Sequence, residues 1–145
     1  MERDYIPPSI DWVREQVELY EGSGGTKGTT LRDTGLPCII VTNVGRKTGA
    51  IRKTPLMTVK AGGGYVLVGS YGGAAKDPSW VGNLRADPDV EIRDGTEVMK
   101  MRVREVTDDP ERAALWDAAV AAFPNYQVYQ EKTERRIPVF LAEPA

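Results

Sequence analysis

Hydrophobic and polar positions change their spacing near residue 36 of the chain. Before that point, apolar residues recur at helical spacing, which predicts a first helix with Ser9 as its N-cap. The apolar face of this helix consists of Ile10, Val13, Val17 and Tyr20. Four glycines between Gly22 and Gly28 end the helix and indicate a flexible segment. We therefore divide the chain into a helix with its glycine-rich segment, residues 1–30, and one β-rich domain, residues 31–145.

Beyond residue 36, β-branched and alternating stretches predict six strands. They are residues 36–44, 52–60 and 65–70, the two arms of a hairpin over 90–106, and residues 137–143. Asp94-Gly95 is expected to form a type I′ turn in the hairpin. Pro55 cannot donate to a ladder, so its strand is predicted to lie at a sheet edge or to be interrupted.

Three helical segments are predicted between these strands. Asp77-Pro78 should supply the N-cap and first residue of a helix that continues through residues 79–86. An alanine-rich stretch from Asp108 to Phe123 and a short segment that begins at Pro124 predict two more. Many short strands with peripheral helices indicate a small barrel of the mainly β (α+β) class.

Composition narrows the chemistry that the chain can perform. Apolar residues make up 41% of the 145 positions and the net charge is −2, so nothing global indicates a nucleic-acid partner. The chain has no histidine, which removes histidine-activated nucleophiles, histidine-ligated haem and most zinc sites. Its one cysteine, Cys38, lies in an apolar run and is expected to be a buried thiol. We therefore expect no metal site.

The N-terminal residues are charged and lack the apolar stretch of a signal peptide, and no run approaches transmembrane length. We accordingly expect a cytoplasmic monomer without a transmembrane segment. Peripheral contact with a membrane is left open at this point.

The most informative feature is a local absence of acidic residues. From Thr34 through Lys76 the chain contains no Asp or Glu, although its net charge is negative. The same stretch contains six cations: Arg46, Lys47, Arg52, Lys53, Lys60 and Lys76. Such a stretch can form either a solvated basic face or a pocket for a multiply charged anion.

Three segments favour the pocket. The loop Gly45–Gly49 combines glycines, two cations and a hydroxyl that can meet a phosphate, although it lacks the spacing of a Walker loop. Small residues from Ser70 to Ala75 directly follow a strand and leave room for a flat ligand. The helix that follows presents free amides near Ser79 and Trp80, with Asn83 one turn on.

Tyr126 and Tyr129 lie three residues apart, on one face of the last short helix. This spacing fits ordinary amphipathic packing. It equally fits a lid over a substrate, with a phenol available as a hydrogen-bond donor.

Taken in order, these segments resemble the deazaflavin-dependent nitroreductase family, one of the split-barrel flavin and deazaflavin oxidoreductases. The resemblance is carried by Gly45–Met57, Ser70–Val90 and Phe123–Pro144. It implies a six-stranded split β-barrel with peripheral helices as the cofactor-binding domain. It also implies coenzyme F420, whose reduced form transfers hydride to an activated small-molecule acceptor. The phosphate and oligoglutamate tail of this cofactor are anionic, which fits the acid-free stretch.

The resemblance implies roles for particular residues. The phosphate would be held by Arg46, Lys47 and Thr48, and the deazaflavin and its side chain would lie beside Arg52, Lys53, Thr54, Pro55, Leu56 and Met57. The cofactor pocket would be completed by Val68, Gly69, Ser70, Tyr71, Ser79, Trp80, Val81, Gly82 and Asn83. Tyr126 would cover the ring and, with Ser70, stabilise charge during the reaction. The acceptor would contact Met57, Phe123, Tyr126 and Tyr129.

Two departures from the family pattern bear on the acceptor. Phe123 stands at a position where some family members have tyrosine, and Met57 also stands at a tyrosine position. Both changes make the acceptor side more apolar, which favours a quinone or an α,β-unsaturated carbonyl over a bulky nitro compound. Two alternatives stay open: an FMN-dependent enzyme on the same barrel, and a non-enzymatic protein that binds deazaflavin or an apolar ligand.

Overall fold

A computed structural model describes residues 3–32 and 34–145, and within them seven strands form one antiparallel sheet. The strands are β1 (Cys38–Val44), β2 (Ile51–Met57), β3 (Lys60–Ala61), β4 (Gly64–Val68), β5 (Asp89–Asp94), β6 (Glu97–Glu105) and β7 (Val139–Pro144). The helices are α1 (Asp11–Gly22), α2 (Ser79–Ala86), α3 (Asp109–Ala122) and α4 (Asn125–Glu131), with a 3-10 turn at Tyr71–Gly73. The sheet order β2-β1-β5-β6-β7-β4-β3 leaves β2 and β3 as edges, so the barrel is open.

The predicted mainly β class with peripheral helices is confirmed, but six strands was wrong by one. The additional strand is β3, which has two residues and pairs with β4 across the turn Gly62-Gly63. Both glycines have positive φ, 54° and 83°, a conformation that suits glycine and a tight hairpin. A two-residue strand is too short to show an alternating pattern, and this is why the sequence did not reveal it.

The β5–β6 hairpin is confirmed, but its turn differs from the prediction. Asp94 pairs with Glu97, so the two turn residues are Gly95 and Thr96. Only Gly95 has a positive φ, at 61°. A positive φ at the first central residue alone is the pattern of a type II′ turn, not of type I′.

The sheet curls around its main core. On β4, Tyr65 donates a hydrogen bond to Asp94 Oδ2 at 2.5 Å, although three strand spacings separate β4 from β5 in the sheet. In a flat sheet those spacings would amount to roughly 14 Å, so the sheet must be strongly curved. Helix α2 fills the enclosed face with Trp80, Val81 and Leu84, and the Trp80 ring lies 5.9 Å from that of Phe140.

Two smaller clusters cover the opposite face. Helices α3 and α4 pack on β4 and β7, where the buried residues include Val66, Val68 and Leu141. Helix α1 packs on β1 through Val17 and Tyr20. Because successive residues of a strand point to opposite sides of the sheet, alternate side chains of one strand belong to the enclosed core and to the outer clusters.

Helix α1 begins differently from the prediction. Ile10, not Ser9, occupies the N-cap position, without a side-chain cap, and Ile10 is 51% exposed rather than part of the apolar face. Val17 and Tyr20 are buried as predicted. The glycine-rich segment that follows forms hydrogen-bonded turns, in which Ser23 Oγ accepts from the amides of Thr26 and Lys27.

Several local predictions hold. Helix α3 starts beside the predicted Asp108, which occupies its N-cap position, and Pro55 lies on the edge strand β2. Cys38 is buried, and burial raises the pKa of its thiol to about 12, so the thiol is protonated at neutral pH. Within the described residues, no helix is long and apolar enough to cross a bilayer.

Candidate functional site

The loop between β1 and β2 is a closed turn that presents two cations to solvent. The Gly45 amide donates to the Ala50 carbonyl at 2.7 Å, and the Gly49 amide donates to the Gly45 carbonyl at 2.8 Å. Gly49 has a φ of 73°, which favours glycine at this position. Arg46 and Lys47 are exposed at the tip of the loop, so both can reach an anion.

A buried amide pair fixes this loop against α2. Asn83 on α2 is 8% exposed and donates from Nδ2 to Asn43 Oδ1 on β1 at 2.9 Å. Its Oδ1 accepts from the backbone amide of Arg46 at 3.0 Å. Since each buried amide atom has a partner, the pair holds Arg46 in register with the helix.

The Arg46 side chain lies directly over Gly82. A Cβ atom added to Gly82 would overlap the guanidinium of Arg46, which therefore occupies the space that a side chain would take. The loop and the first turns of α2 thus form one surface. The predicted phosphate residue Arg46 and the predicted pocket residues Gly82 and Asn83 are brought together by the structure.

Gly82→Ala should displace the Arg46 guanidinium, because the new methyl group needs the same space. If Arg46 holds the phosphate of the cofactor that the resemblance implies, affinity for that cofactor should fall by about threefold to fivefold, with little effect on the sheet, since Gly82 is only half-buried. Fluorescence titration with F420 measures this change. Gly22→Ala is a matched control, because nothing lies near its would-be Cβ, and an equal loss in both variants would contradict the assignment.

The six cations of the acid-free stretch fall into two groups. Lys53 forms an ion pair with Glu21 at 2.6 Å, and Lys60 forms one with Asp94 at 3.6 Å. In the described part of the chain, none of the other four has an acidic partner; they are Arg46, Lys47, Arg52 and Lys76. Three of them lie on the β1–β2 loop and β2, and Lys76 lies just before α2.

Strand β2 divides its predicted cofactor residues between two faces. Leu56 packs against the enclosed core, whereas Met57 belongs to the cluster beneath α3 and α4. By alternation, Arg52 and Thr54 share the face of Leu56. The remaining predicted residues, Lys53, Pro55 and Met57, point to the other face. Side chains from the whole run therefore cannot line one site.

The start of α2 differs from the prediction in its cap. Pro78 holds the N-cap position, and Asp77 does not cap the helix. The Asp77 carboxylate instead pairs with Arg135 at 2.7 Å. The side chains of Trp80 and Val81 are buried in the core, so a ligand at this end could meet only their backbone and the exposed Ser79.

The loop after β4 is tightly held and carries two predicted residues. Ser70 is 6% exposed, and its hydroxyl has no hydrogen-bond partner within residues 3–32 and 34–145. Tyr71 is 59% exposed and has a φ of 47°, a left-handed conformation that is uncommon for tyrosine. Gly69 packs closely on α2, because its would-be Cβ lies 2.7 Å from Val81 Cγ2. Val68 points into the outer cluster.

The predicted acceptor residues meet in one aromatic cluster. Tyr126 packs edge-on against Phe123 with ring centroids 5.1 Å apart, and Tyr129 lies 6.4 Å from Tyr126. Trp116 of α3 joins them at 6.4 Å from Tyr126. Met57 belongs to the same buried cluster. The structure thus gathers all four predicted acceptor residues, while Ser70 stands on the neighbouring loop.

Burial raises the pKa of the Tyr126 phenol above its usual value, with a smaller contribution from Tyr129. The hydroxyl has no hydrogen-bond partner in the described part of the chain. Tyr126 is therefore a neutral donor at physiological pH, and its one proton is not committed elsewhere.

Sequence reasoning missed several residues of this region. Asn43, 1% exposed, is a polar amide inside an otherwise apolar strand, and this was the signal that could have revealed it. Trp116 lies on an alanine-rich helix whose orientation the sequence did not fix. No local pattern marks Arg135, because the partners of its side chain, Ala74 and Asp77, lie more than 50 residues earlier in the chain.

Together, these elements define an open split-barrel protein with exposed cations on the β1–β2 loop and an aromatic cluster beneath α3 and α4. A family model described as F420H(2)-dependent quinone reductase matches residues 12–144. The chain therefore belongs to the F420H2-dependent quinone reductase family and is an F420-dependent oxidoreductase.

Individual relatives agree with this assignment. F420H(2)-dependent quinone reductase Rv1261c of Mycobacterium tuberculosis is 35% identical over 132 residues, which cover 90% of this chain and 88% of the relative. A solved structure described as F420-H2 dependent reductase (FDR-A) is 44% identical, covers 74% of this chain and 94% of its own, and has a TM-score of 0.69. Another solved structure, described as a domain-swapped dimer, is 43% identical, covers 92% of this chain and 98% of its own, and has a TM-score of 0.72.

These findings confirm the predicted enzyme class and cofactor. They decide against the alternative of a non-enzymatic binding protein, because the family is one of reductases. The residues assigned to the cofactor and the acceptor are still predictions.

Proposed function

We propose that the chain binds reduced F420 along the surface formed by the β1–β2 loop, the Arg52 face of β2 and the start of α2. There it reduces a quinone or an α,β-unsaturated carbonyl compound. The observation that carries this proposal is a set of four cations, on or next to these elements, that have no acidic partner among the described residues. An anionic phosphate and oligoglutamate tail would supply the missing counter-charges.

The residues present fit the cofactor in charge and in shape. Arg46 and Lys47 would hold the phosphate, since both are exposed on a loop that the Asn83 amide fixes in place. Arg52 and Lys76 would attract the carboxylates of the tail. Gly82 leaves the space over α2 that Arg46 uses. Lys53 is better assigned to structure than to cofactor binding, because its ammonium is already paired with Glu21.

The aromatic cluster would hold the acceptor. Its members Phe123 and Met57 offer no hydrogen-bond donor, and they pack among aromatic rings. An apolar ring such as a quinone suits this surface better than a strongly hydrated compound. The family description as quinone reductases supports this choice of acceptor.

When bound, the reduced deazaflavin supplies the hydride. The chain contributes position and a proton donor. Tyr126 keeps its phenol protonated because it is buried, and it would donate a hydrogen bond to the acceptor oxygen as negative charge develops there. The Ser70 hydroxyl has no hydrogen-bond partner among the described residues, and Ser70 is the second candidate donor. No histidine is available to compete for this role.

Cofactor choice tests the proposal directly. We expect F420 to bind with micromolar or tighter affinity and FMN to bind at least several-fold more weakly, because FMN lacks the anionic tail that Arg52 and Lys76 would meet. Fluorescence titration at low and moderate salt compares the two. Equal or tighter binding of FMN would return the chain to the FMN-dependent alternative.

The expectation of a monomer gains no support from the comparisons, since one solved structure 43% identical to the chain is described as a domain-swapped dimer. Sedimentation of the purified protein over a range of concentrations measures the oligomeric state.

A further inference from the structure

Arg135 lies between α4 and β7 and directs its whole guanidinium at the loop that follows β4. Its Nε donates to the Ala74 carbonyl at 2.8 Å, and its Nη2 donates to the Ser70 carbonyl at 2.7 Å. Its Nη1 donates to the Gly69 carbonyl at 3.1 Å and to Asp77 Oδ1 at 2.7 Å. One side chain therefore binds the loop at its beginning, middle and end.

The arginine is itself held in place. Its side chain is only 15% exposed. Gln130 of α4 donates from Nε2 to the Arg135 carbonyl at 2.8 Å and accepts from the Ile137 amide at 3.1 Å. The planar guanidinium of Arg135 therefore extends from a backbone that is itself held in place. Its donors are arranged so that they can reach several carbonyl acceptors at once.

The loop needs such a clamp. Tyr71 has a left-handed backbone with φ of 47°, which costs free energy in a residue with a Cβ and persists only where the surroundings impose it. Gly73 lies so close to α4 that its would-be Cβ is 2.8 Å from the Tyr129 carbonyl. The loop therefore sets the position of Ser70 and Tyr71 relative to the helix that carries Tyr126 and Tyr129.

We propose that Arg135 is a positioning residue of the reductase, which holds residues 69–77 in the conformation that binds the cofactor and aligns Ser70 with the Tyr126 cluster. This inference rests on the proposed function. Arg135 acts through the loop carbonyls and through Asp77, and does not itself touch the reactants.

Two variants of Arg135 and one variant of the neighbouring Arg136 distinguish the contribution of hydrogen-bond geometry from that of charge. Arg135→Ala removes all the hydrogen bonds, and Arg135→Lys keeps the charge but not the planar fork. Arg136→Ala is the matched control, since Arg136 is the next residue, carries the same charge and pairs with Asp109 on α3 instead of with the loop. Circular dichroism confirms that each variant is folded.

The first readout is amide hydrogen exchange of the protein without cofactor, at Gly73 and Ala74, whose amides donate to the Ser70 and Tyr71 carbonyls. We expect exchange there to accelerate at least about tenfold in both Arg135 variants, with sheet amides unchanged and Arg136→Ala like the wild type. The second readout is the Kd for F420, which should rise about fivefold in Arg135→Ala and about threefold in Arg135→Lys.

Three outcomes would overturn the inference: unchanged exchange in both Arg135 variants, a loosened loop with wild-type affinity and turnover, or full recovery of affinity in Arg135→Lys. The last would show that charge alone matters. If the wild type itself fails to bind F420, the proposed function fails, whereas the exchange measurement still reports whether Arg135 holds the loop. The two failures are therefore distinguishable.

Discussion

Tyr126→Phe should lower turnover with a quinone or an enone by about tenfold or more, while F420 affinity stays nearly unchanged. The ring would still pack against Phe123 and Trp116, so the binding surface survives. The lost hydroxyl has no hydrogen-bond partner among the described residues, and burial raises its pKa. Steady-state oxidation of reduced F420 at varied acceptor concentration measures the change.

Tyr129→Phe is the matched control, because it removes a phenol from the same cluster without touching the proposed donor. Its turnover should stay close to that of the wild type. Tyr126→Ala removes the whole ring and should also raise the KM for the acceptor, since acceptor packing is lost. If Tyr126→Phe runs at the wild-type rate, the hydroxyl has no chemical role, and Ser70 or water must supply the proton.

Replacing both Arg46 and Lys47 with Ala should weaken F420 binding at least tenfold. Each charge-assisted hydrogen bond to a phosphate contributes roughly 1.5–3 kcal/mol, and about 1.4 kcal/mol corresponds to tenfold in affinity. Because both side chains are exposed, salt reduces the effect, and the titration should be repeated at several ionic strengths. The fold should survive, since neither side chain belongs to the core.

The matched control is the double variant Lys100→Ala and Arg102→Ala. Both residues are exposed on β6, which β5 separates from β1 in the sheet, and their loss changes the net charge equally. A comparable loss of affinity in this control would show that only the overall charge matters. Unchanged affinity in the Arg46 and Lys47 variant would make the acid-free stretch a solvated basic face.

Much of the fold follows from local signals that the sequence displays. The helix α2 was predicted with its start one residue too early, and α3 begins close to the predicted Asp108. The alternation of apolar and polar residues also predicted the two strands of the β5–β6 hairpin. The failures have local causes: β3 is too short to alternate, and Asp77 has a long-range partner that competes with the cap.

The site was harder to predict because it depends on contacts between distant parts of the chain. The acid-free stretch indicated an anion site, but only the structure distinguishes Lys53 and Lys60, which are paired, from the four cations that are not. No sequence pattern could reveal that Glu21 lies beside Lys53. Arg135 likewise meets its carbonyl partners across 61 to 66 residues.

The Tyr20 hydroxyl has a consequence for the order in which the chain folds. It donates to the Cys38 carbonyl at 2.9 Å and accepts from the Gly95 amide, 75 residues away, at 2.7 Å. Although α1 is among the first segments to be synthesised, this contact cannot close before the β5–β6 hairpin has turned at Gly95. Contacts of such long sequence separation slow folding. The first helix is therefore fastened to the sheet partly by a contact of long sequence separation, and this part of its docking depends on the hairpin turn.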